Sequence, residues 1–247
     1  GGILRIGVRP VRRDDAAAAL VVIEDVTQQR IADESRNAFV AQATHELRTP
    51  LTNIRLYTEQ AIEAGDSDTA LRSRALDVIN QESRRLERIV GDMLSVSEIE
   101  AGTFKLRRGD VRLDALFQEL EEEYRAQAAE KRITLTFALP PKLPVIKGDR
   151  DKIVLAINNL IGNALKYTPE GGKVEVRVDS NDQGLRVDVT DTGIGVSPEE
   201  SELIFERFYR AKDARVSNIT GTGLGLALAR DVVRLHGGDI NVQSQLN

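Results

Sequence analysis

Residues 40–64, VAQATHELRTPLTNIRLYTEQAIEA, decide how the first half of the chain is read. Val40, Ala43, Leu47, Leu51, Ile54 and Ala61 recur at mixed three- and four-residue spacing, which draws one apolar stripe down an amphipathic helix. Working outward, the helix extends back to about Thr27 and stops at Gly65. Asp66, Ser67 and Asp68 then offer N-caps for a second helix, whose apolar face is Leu71, Ala75, Val78, Leu86, Ile89, Met93 and Val96, ending near Gly102. Two such helices form an antiparallel hairpin. Each carries a single stripe, so a symmetric dimer closing into a four-helix bundle is the economical way to cover both.

Within that first helix, His45 and Thr49 are four residues apart on one face, and Glu46 adjoins the histidine. A group that accepts phosphoryl needs an exposed neutral imidazole with one lone pair available. A neighbouring carboxylate can fix the tautomer and take the proton. By themselves these residues also fit a surface histidine in a charged turn ahead of a proline kink.

Upstream, residues 3–11 (ILRIGVRPV) and 18–26 (AALVVIEDV) read as two strands joined by a polar turn through Arg12, Arg13, Asp14 and Asp15. Two strands alone are marginal, so the pair is expected to close a sheet domain that lies further upstream. Downstream of Gly102 the pattern alternates. TFKL (103–106) reads as a strand, then a helix runs from Asp114 to about Ala129, a strand over 133–137 and a helix from Asp149 to Tyr167. Strands at 173–179 and 185–190, a short helix after Pro198, a helix from about Gly223 to Leu235 and a closing strand near 239–244 complete an α+β sandwich domain.

Three constellations in this second domain carry chemistry. Asn159, Asn163 and Lys166 fall on one helix face, offering two amides and an ammonium. Amide oxygens are hard ligands suited to magnesium, and a lysine supplies a point charge for phosphate. Asp191-Thr192-Gly193-Ile194-Gly195 follows a strand, where a buried aspartate can accept a hydrogen bond from an adenine amino group. Gly221-Thr222-Gly223-Leu224-Gly225 opens a helix, where glycines let backbone approach a nucleotide and the helix N-terminus attracts phosphate. Neither glycine run ends in Gly-Lys-Ser/Thr or opens a βαβ unit, so neither a P-loop nor a dinucleotide fingerprint is present.

Composition removes other classes. A net charge of -5 gives no basic field for nucleic acid or an anionic membrane surface, so neither is expected as a partner of this stretch. With no cysteine and only two histidines, disulfides, thiolate chemistry and a Cys/His metal centre are not expected. No apolar run approaches the ~20 residues needed to span a bilayer. The one methionine is Met93, so the chain reads as part of a longer protein whose anchor or sensor would lie upstream.

The run His45-Glu46-Leu47-Arg48-Thr49-Pro50 resembles the phosphoacceptor box of sensor histidine kinases. Asn159–Thr168, the two glycine boxes and Phe205-Glu206-Arg207-Phe208-Tyr209-Arg210 between them, in that order, resemble the ATP-binding (Bergerat, or GHKL) domain of the same family. Glu24–Thr27 resembles the exit of a PAS sensor domain. The resemblance covers roughly residues 30–244. It implies a PAS-like tail over 1–26, a dimerisation and phosphotransfer hairpin over 27–102 and an ATP-binding domain over 103–247.

It further implies ATP and Mg2+ as cofactors, a homodimer, and a response regulator receiver domain as partner in a cytoplasmic setting. His45, Glu46, Thr49 and Arg210 would be catalytic: His45 as nucleophile, Thr49 as a phosphatase residue and Arg210 stabilising charge on the transferring phosphoryl group. Asn163 would hold the metal; Asn159, Lys166 and Tyr167 would meet the phosphates; Asp191 would read adenine. Gly193, Gly195, Gly221, Thr222, Gly223, Leu224 and Gly225 would shape the ATP pocket, residues 211–220 would form a lid, and His236 would be structural.

Two departures matter. The family's last turn and strand are not reached by Asn247. ATP hydrolases of the superfamily carry a glutamate four residues before the metal asparagine, and Asn159 stands there instead, so transfer to His45 is favoured over hydrolysis. A hydrolase, or an inactive dimeric docking module, remain the alternatives.

Overall fold

The computed structural model describes residues 2–13, 16–65, 67–181, 184–211, 213, 215, 219 and 221–246. The chain packs as two compact units, Gly1–Leu86 and Glu87–Asn247.

In the first unit, β1 (Leu4–Arg13) and β2 (Ala16–Asp25) pair antiparallel from Leu4 opposite Asp25 to Arg13 opposite Ala16. Arg12 and Arg13 therefore belong to the strand rather than to the turn, and Asp14 and Asp15 lie outside the described residues. Thr27 joins this ribbon to the helix that follows. Its hydroxyl donates to Asp25 Oδ1 at 2.6 Å and accepts from Ile3 N at 2.7 Å. Helix α1 runs over Thr27–Ala64 and continues through Pro50. It stops at Gly65, whose φ of 52° puts the backbone in the left-handed region that glycine enters without steric cost. Asp68 caps helix α2 (Thr69–Glu100) by accepting from Leu71 N at 2.9 Å, whereas Asp66 lies outside the described residues. Asn53 donates to Glu82 at 3.1 Å, fastening the hairpin partway along.

The second unit begins within α2. Residues 103–108 make no ladder, so the strand expected at TFKL moves on to β3 (Gly109–Arg112), which pairs antiparallel with β5 (Val145–Gly148). The alternation in 103–106 instead reflects anchoring of single residues: Phe104 lies under Lys152 Nζ at 4.5 Å, and Arg107 N donates to Asp149 at 2.7 Å. Helix α3 spans Leu113–Glu130, strand β4 Thr134–Ala138 and helix α4 Arg150–Tyr167. Strands β6 (Lys173–Asn181) and β7 (Gly184–Asp191) follow. A single 3-10 turn at Leu203–Phe205 is all that forms of the short helix after Pro198, and helix α5 spans Gly225–Leu235.

The main sheet has the order β4-β6-β7, with β4 parallel and β7 antiparallel to the central β6. Strand β6 alternates Lys173, Val174, Glu175, Val176, Arg177, Val178, so period 2 drives all three valines into the core at 0–1% exposure. They meet Leu113, Leu116, Phe117 and Leu120 from α3 and Ile157, Ile161, Ala164 and Leu165 from α4. One face of the sheet is thereby covered by helices, and α4 is fixed with its opposite face available. The closing strand expected near 239–244 does not form: among the described residues, 238–246 make no ladder. The Ser244 side chain instead reaches the loop after β7, where its Oγ accepts from Val196 N at 2.9 Å.

Candidate functional site

In the first unit, His45 projects from α1 with its side chain 73% exposed, while the Glu46 side chain beside it is only 10% exposed. Glu46 Oε1 lies 3.9 Å from His45 Nδ1 and accepts from Gln42 Nε2 at 3.2 Å, four residues back on the helix. An acid held against the helix by one neighbour thus faces one side of a solvent-facing imidazole. That orientation leaves Nε2 as the outward nitrogen. Thr49 is exposed on the same face, and His45, Arg48, Thr49, Thr52 and Asn53 line a shallow recess of about 260 Å3. Arg48 and Thr52 were not singled out by the sequence, although the helical period places both beside His45.

The second unit brings most of the remaining residues together around α4. Asp149 caps that helix, accepting from Lys152 N at 3.2 Å, and Asp149 is itself buried at 5% exposure. Asn159, Asn163 and Lys166 then project on one half-buried face. Asn159 donates to Leu155 O at 3.0 Å, which turns its amide oxygen toward the glycine loop. A Cβ on Gly225 would lie 2.3 Å from that oxygen, and a Cβ on Gly221 2.3 Å from Lys166 Nζ. Lys166 also sits over the Tyr167 ring at 4.8 Å.

Asp191, at the end of β7, accepts from Gly193 N at 2.8 Å, and Ile194 N donates to Tyr167 O at 3.3 Å. A Cβ on Gly193 would be 2.7 Å from the Tyr167 carbonyl oxygen and one on Gly195 1.8 Å from Gln245 O, so both positions need glycine. Asp191 is exposed, not buried as expected, because it sits at the strand's open end with its carboxylate turned back on its own loop.

The loop before α5 is built on Gly223 and Phe208. Gly223 has φ +72° and Phe208 φ +63°, and Phe208 N donates to Gly223 O at 2.9 Å. A bulky residue held in the left-handed region is rare and marks a site of stored strain. Thr222 accepts from Leu224 N at 3.2 Å, and Leu224 is fully buried at the N-cap of α5. Arg210 donates to Ile219 O at 2.6 Å; of the expected lid, 212, 214, 216–218 and 220 lie outside the described residues. Burial pushes the Tyr167 phenol up, opposed by the positive charge of Arg210, which puts the two within electrostatic reach. Arg207, given no role by the sequence, pairs with Glu100 at the end of α2 and with Asp231 of α5 at 3.3 Å.

Close backbone approach at Gly223 yields a measurable outcome. A Cβ there would stand 2.7–2.8 Å from the Phe208 and Tyr209 backbones, which cannot swing aside as a side chain could. Gly223→Ala is expected to weaken ATP binding about tenfold or more, by displacement of the loop. Gly171→Ala, also at positive φ but with nothing within 4 Å, is the control and keeps wild-type affinity. Isothermal titration of both variants checks the pair; equal affinities would remove the loop from the site.

Two family models match the chain in sequence. The His Kinase A (phospho-acceptor) domain matches residues 35–102, and the Histidine kinase-, DNA gyrase B-, and HSP90-like ATPase matches 148–247. Both matches contain the residues just described. The chain belongs to the sensor histidine kinases. It is similar to the sensor histidine kinase WalK of Bacillus subtilis, 36% identical over 242 residues, covering 96% of this chain and 39% of that protein. It is also similar to the drug sensory protein A of Synechocystis, 35% identical over 246 residues, covering 95% of this chain and 37% of that protein. Among solved structures, full-length ShkA in complex with AMPPNP matches with a TM-score of 0.63 and 29% identity, over 85% of this chain and 43% of that one. The chain thus spans about two fifths of the relatives it matches.

Proposed function

We propose that this chain is the core of an ATP-dependent protein histidine kinase, which phosphorylates its own His45 and passes the group to an aspartate of a response regulator receiver domain. The observation that carries the reading is the combination of an exposed imidazole beside a buried carboxylate with a separate domain whose Asn159 and Lys166 press against a glycine-built loop. The AMPPNP bound by the relative ShkA supports ATP as the donor.

Neutral His45 attacks the γ-phosphorus through Nε2, the new N–P bond forms as the bond to the β-phosphate bridging oxygen breaks, and ADP leaves. The proton on Nδ1 points toward Glu46, which stabilises the imidazolium and takes the proton as the charge develops. Asn159, Lys166 and Tyr167 orient the phosphates, Asp191 and Gly193 receive adenine, and Arg210 balances the charge that spreads over the transferring group. Gly195, Gly221, Thr222, Gly223, Leu224 and Gly225 give the backbone its close approach. Among the described residues no group of three or more His, Cys, Asp or Glu could hold a metal. The Asn163 amide oxygen, a hard ligand on the same face as Lys166, would hold a Mg2+ ion that accompanies the phosphates, and the ion would supply charge neutralisation there.

Three segments fit this use: 1–26 as the end of an upstream PAS-like domain, 27–102 as the phosphotransfer hairpin and 103–247 as the ATP-binding domain. Leu4, Ile6, Val8, Val22 and Ile23 are all more than half exposed on a two-stranded ribbon that needs further cover. Val40, Leu51, Leu56 and Ile62 on α1 and Leu71 and Leu76 on α2 are exposed as well, which supports a second copy closing a four-helix bundle. No helix among the described residues is long and apolar enough to cross a membrane. Use of ATP puts this part of the protein in the cytoplasm.

Incubation with γ-labelled ATP tests the reading. Acid-labile, alkali-stable label on the protein is expected to accumulate faster than free phosphate; free phosphate alone would make the chain a hydrolase, and neither product would make it a docking module.

Thr49 carries a separable activity in this scheme. Its exposed hydroxyl, one turn after His45, can hold water in line with the phosphoaspartate of a docked receiver domain. Thr49→Ala is expected to slow receiver dephosphorylation about tenfold while autophosphorylation stays within about twofold. Both rates measured on one folded preparation check this, and a parallel fall would reduce Thr49 to a helix residue before Pro50.

A further inference from the structure

We infer that His236 is a positioning residue of the nucleotide site: a neutral acceptor that pins the first turn of α4 to the last turn of α5. The inference rests on the reading of that site given above.

Both ring nitrogens of His236 are committed. Asp149 N donates to Nε2 at 3.1 Å, and Nδ1 lies 2.8 Å from Val232 O. A backbone N–H can only donate and a carbonyl can only accept, so Nε2 carries no proton and Nδ1 carries one. The geometry therefore selects one neutral tautomer, and any species protonated at Nε2 would set two N–H groups face to face.

The partner of that nitrogen is the N-cap of α4. Asp149 uses its backbone N–H on His236, Oδ1 on Lys152 N and Oδ2 on Arg107 N at 2.7 Å, so one buried residue joins α5, α4 and the segment that leaves α2. The ring lies against Gly148, where a Cβ would stand 3.4 Å from His236 Cδ2 and 2.7 Å from Ile153 Cδ1. Arg108 adds a bond to Leu235 O at 3.3 Å.

This junction bears on the site because the same two helices form its walls. Helix α4 carries Asn159, Asn163 and Lys166 beyond the clamp, α5 opens at Gly225, and the two approach where Asn159 Oδ1 meets Gly225. Releasing one end of an 18-residue helix lets it tilt, and a tilt moves the amide face away from the glycine loop. His236 touches no part of the site, and its effect passes through Asp149 and α4.

The test uses the 247-residue chain. In His236→Ala the apparent KM for ATP in autophosphorylation is expected to rise about tenfold, the scale of one lost hydrogen bond to a buried donor, with the saturating rate within about twofold. His236→Gln, whose amide oxygen reaches the position of Nε2, is expected to recover most of the affinity. Nitrogen-15 NMR of the wild-type imidazoles needs no variant: with two histidines, assigned by His45→Ala, the His236 signals should show a bare Nε2 and a protonated Nδ1. An unchanged KM in a folded His236→Ala, a Gln variant as impaired as Ala, or a protonated Nε2 would each overturn the inference. If His236→Ala does not fold, the Gln variant and the spectrum decide. Should the wild type fail to label His45, the kinase reading falls instead, and titration of ATP binding in the same variants still judges His236.

Discussion

Replacing His45 with alanine is expected to abolish acid-labile label on the chain while ATP affinity stays within about twofold of wild type. The proposed nucleophile sits on α1 with its side chain 73% exposed, so the substitution would remove a reacting atom without opening a cavity. No second imidazole can step in. His236 is the other histidine, and both of its nitrogens are committed to Asp149 N and Val232 O. Labelling should fall by about three orders of magnitude or more, to the background of the assay. Quantified phosphorylation, with ATP titration alongside, checks it. Retained label of the same acid lability would mean that another residue is the acceptor.

Asn163→Ala is expected to have the next largest effect. Asn163 sits half-buried on the α4 face between Asn159 and Lys166, and the described residues offer no carboxylate cluster to hold a cation in its place. Loss of its amide oxygen should lower autophosphorylation by about two to three orders of magnitude and weaken the Mg dependence of ATP binding, because charge on the phosphates is no longer balanced in a fixed position. Initial rates across a magnesium series check this. A variant with the wild-type rate and the same metal dependence would move the metal away from α4.

How much of this could be read before the structure depends on the range of the interaction. The helices and β6 were legible because their apolar residues repeat with the local period: Ala75, Ile89 and Val96 down α2, Val174, Val176 and Val178 along β6. The cap Asp68 was legible because its bond is local, to an N–H three residues ahead. Strand β5 was not, since Val145–Gly148 is four residues long, follows Pro144, and is a strand only because Gly109–Arg112 lies beside it 36 residues away.

At the site, the shared face of Asn159, Asn163 and Lys166 followed from spacing alone. The contact of Asn159 with Gly225 and the clamp of His236 on Asp149 link residues 66 and 87 apart, beyond any local pattern. The exposure of Asp191 and the left-handed Phe208 depend on how loops close, which composition does not encode.

In the proposed reaction, phosphoryl from ATP ends on one nitrogen of His45. Tandem mass spectrometry of the chain after incubation with Mg-ATP, with digestion kept at alkaline pH to preserve a phosphoramidate, tests it most directly. A single phosphorylated peptide is expected, with the added mass on His45. Phosphate on a serine, threonine or aspartate, or an unmodified chain beside accumulating free phosphate, would contradict it.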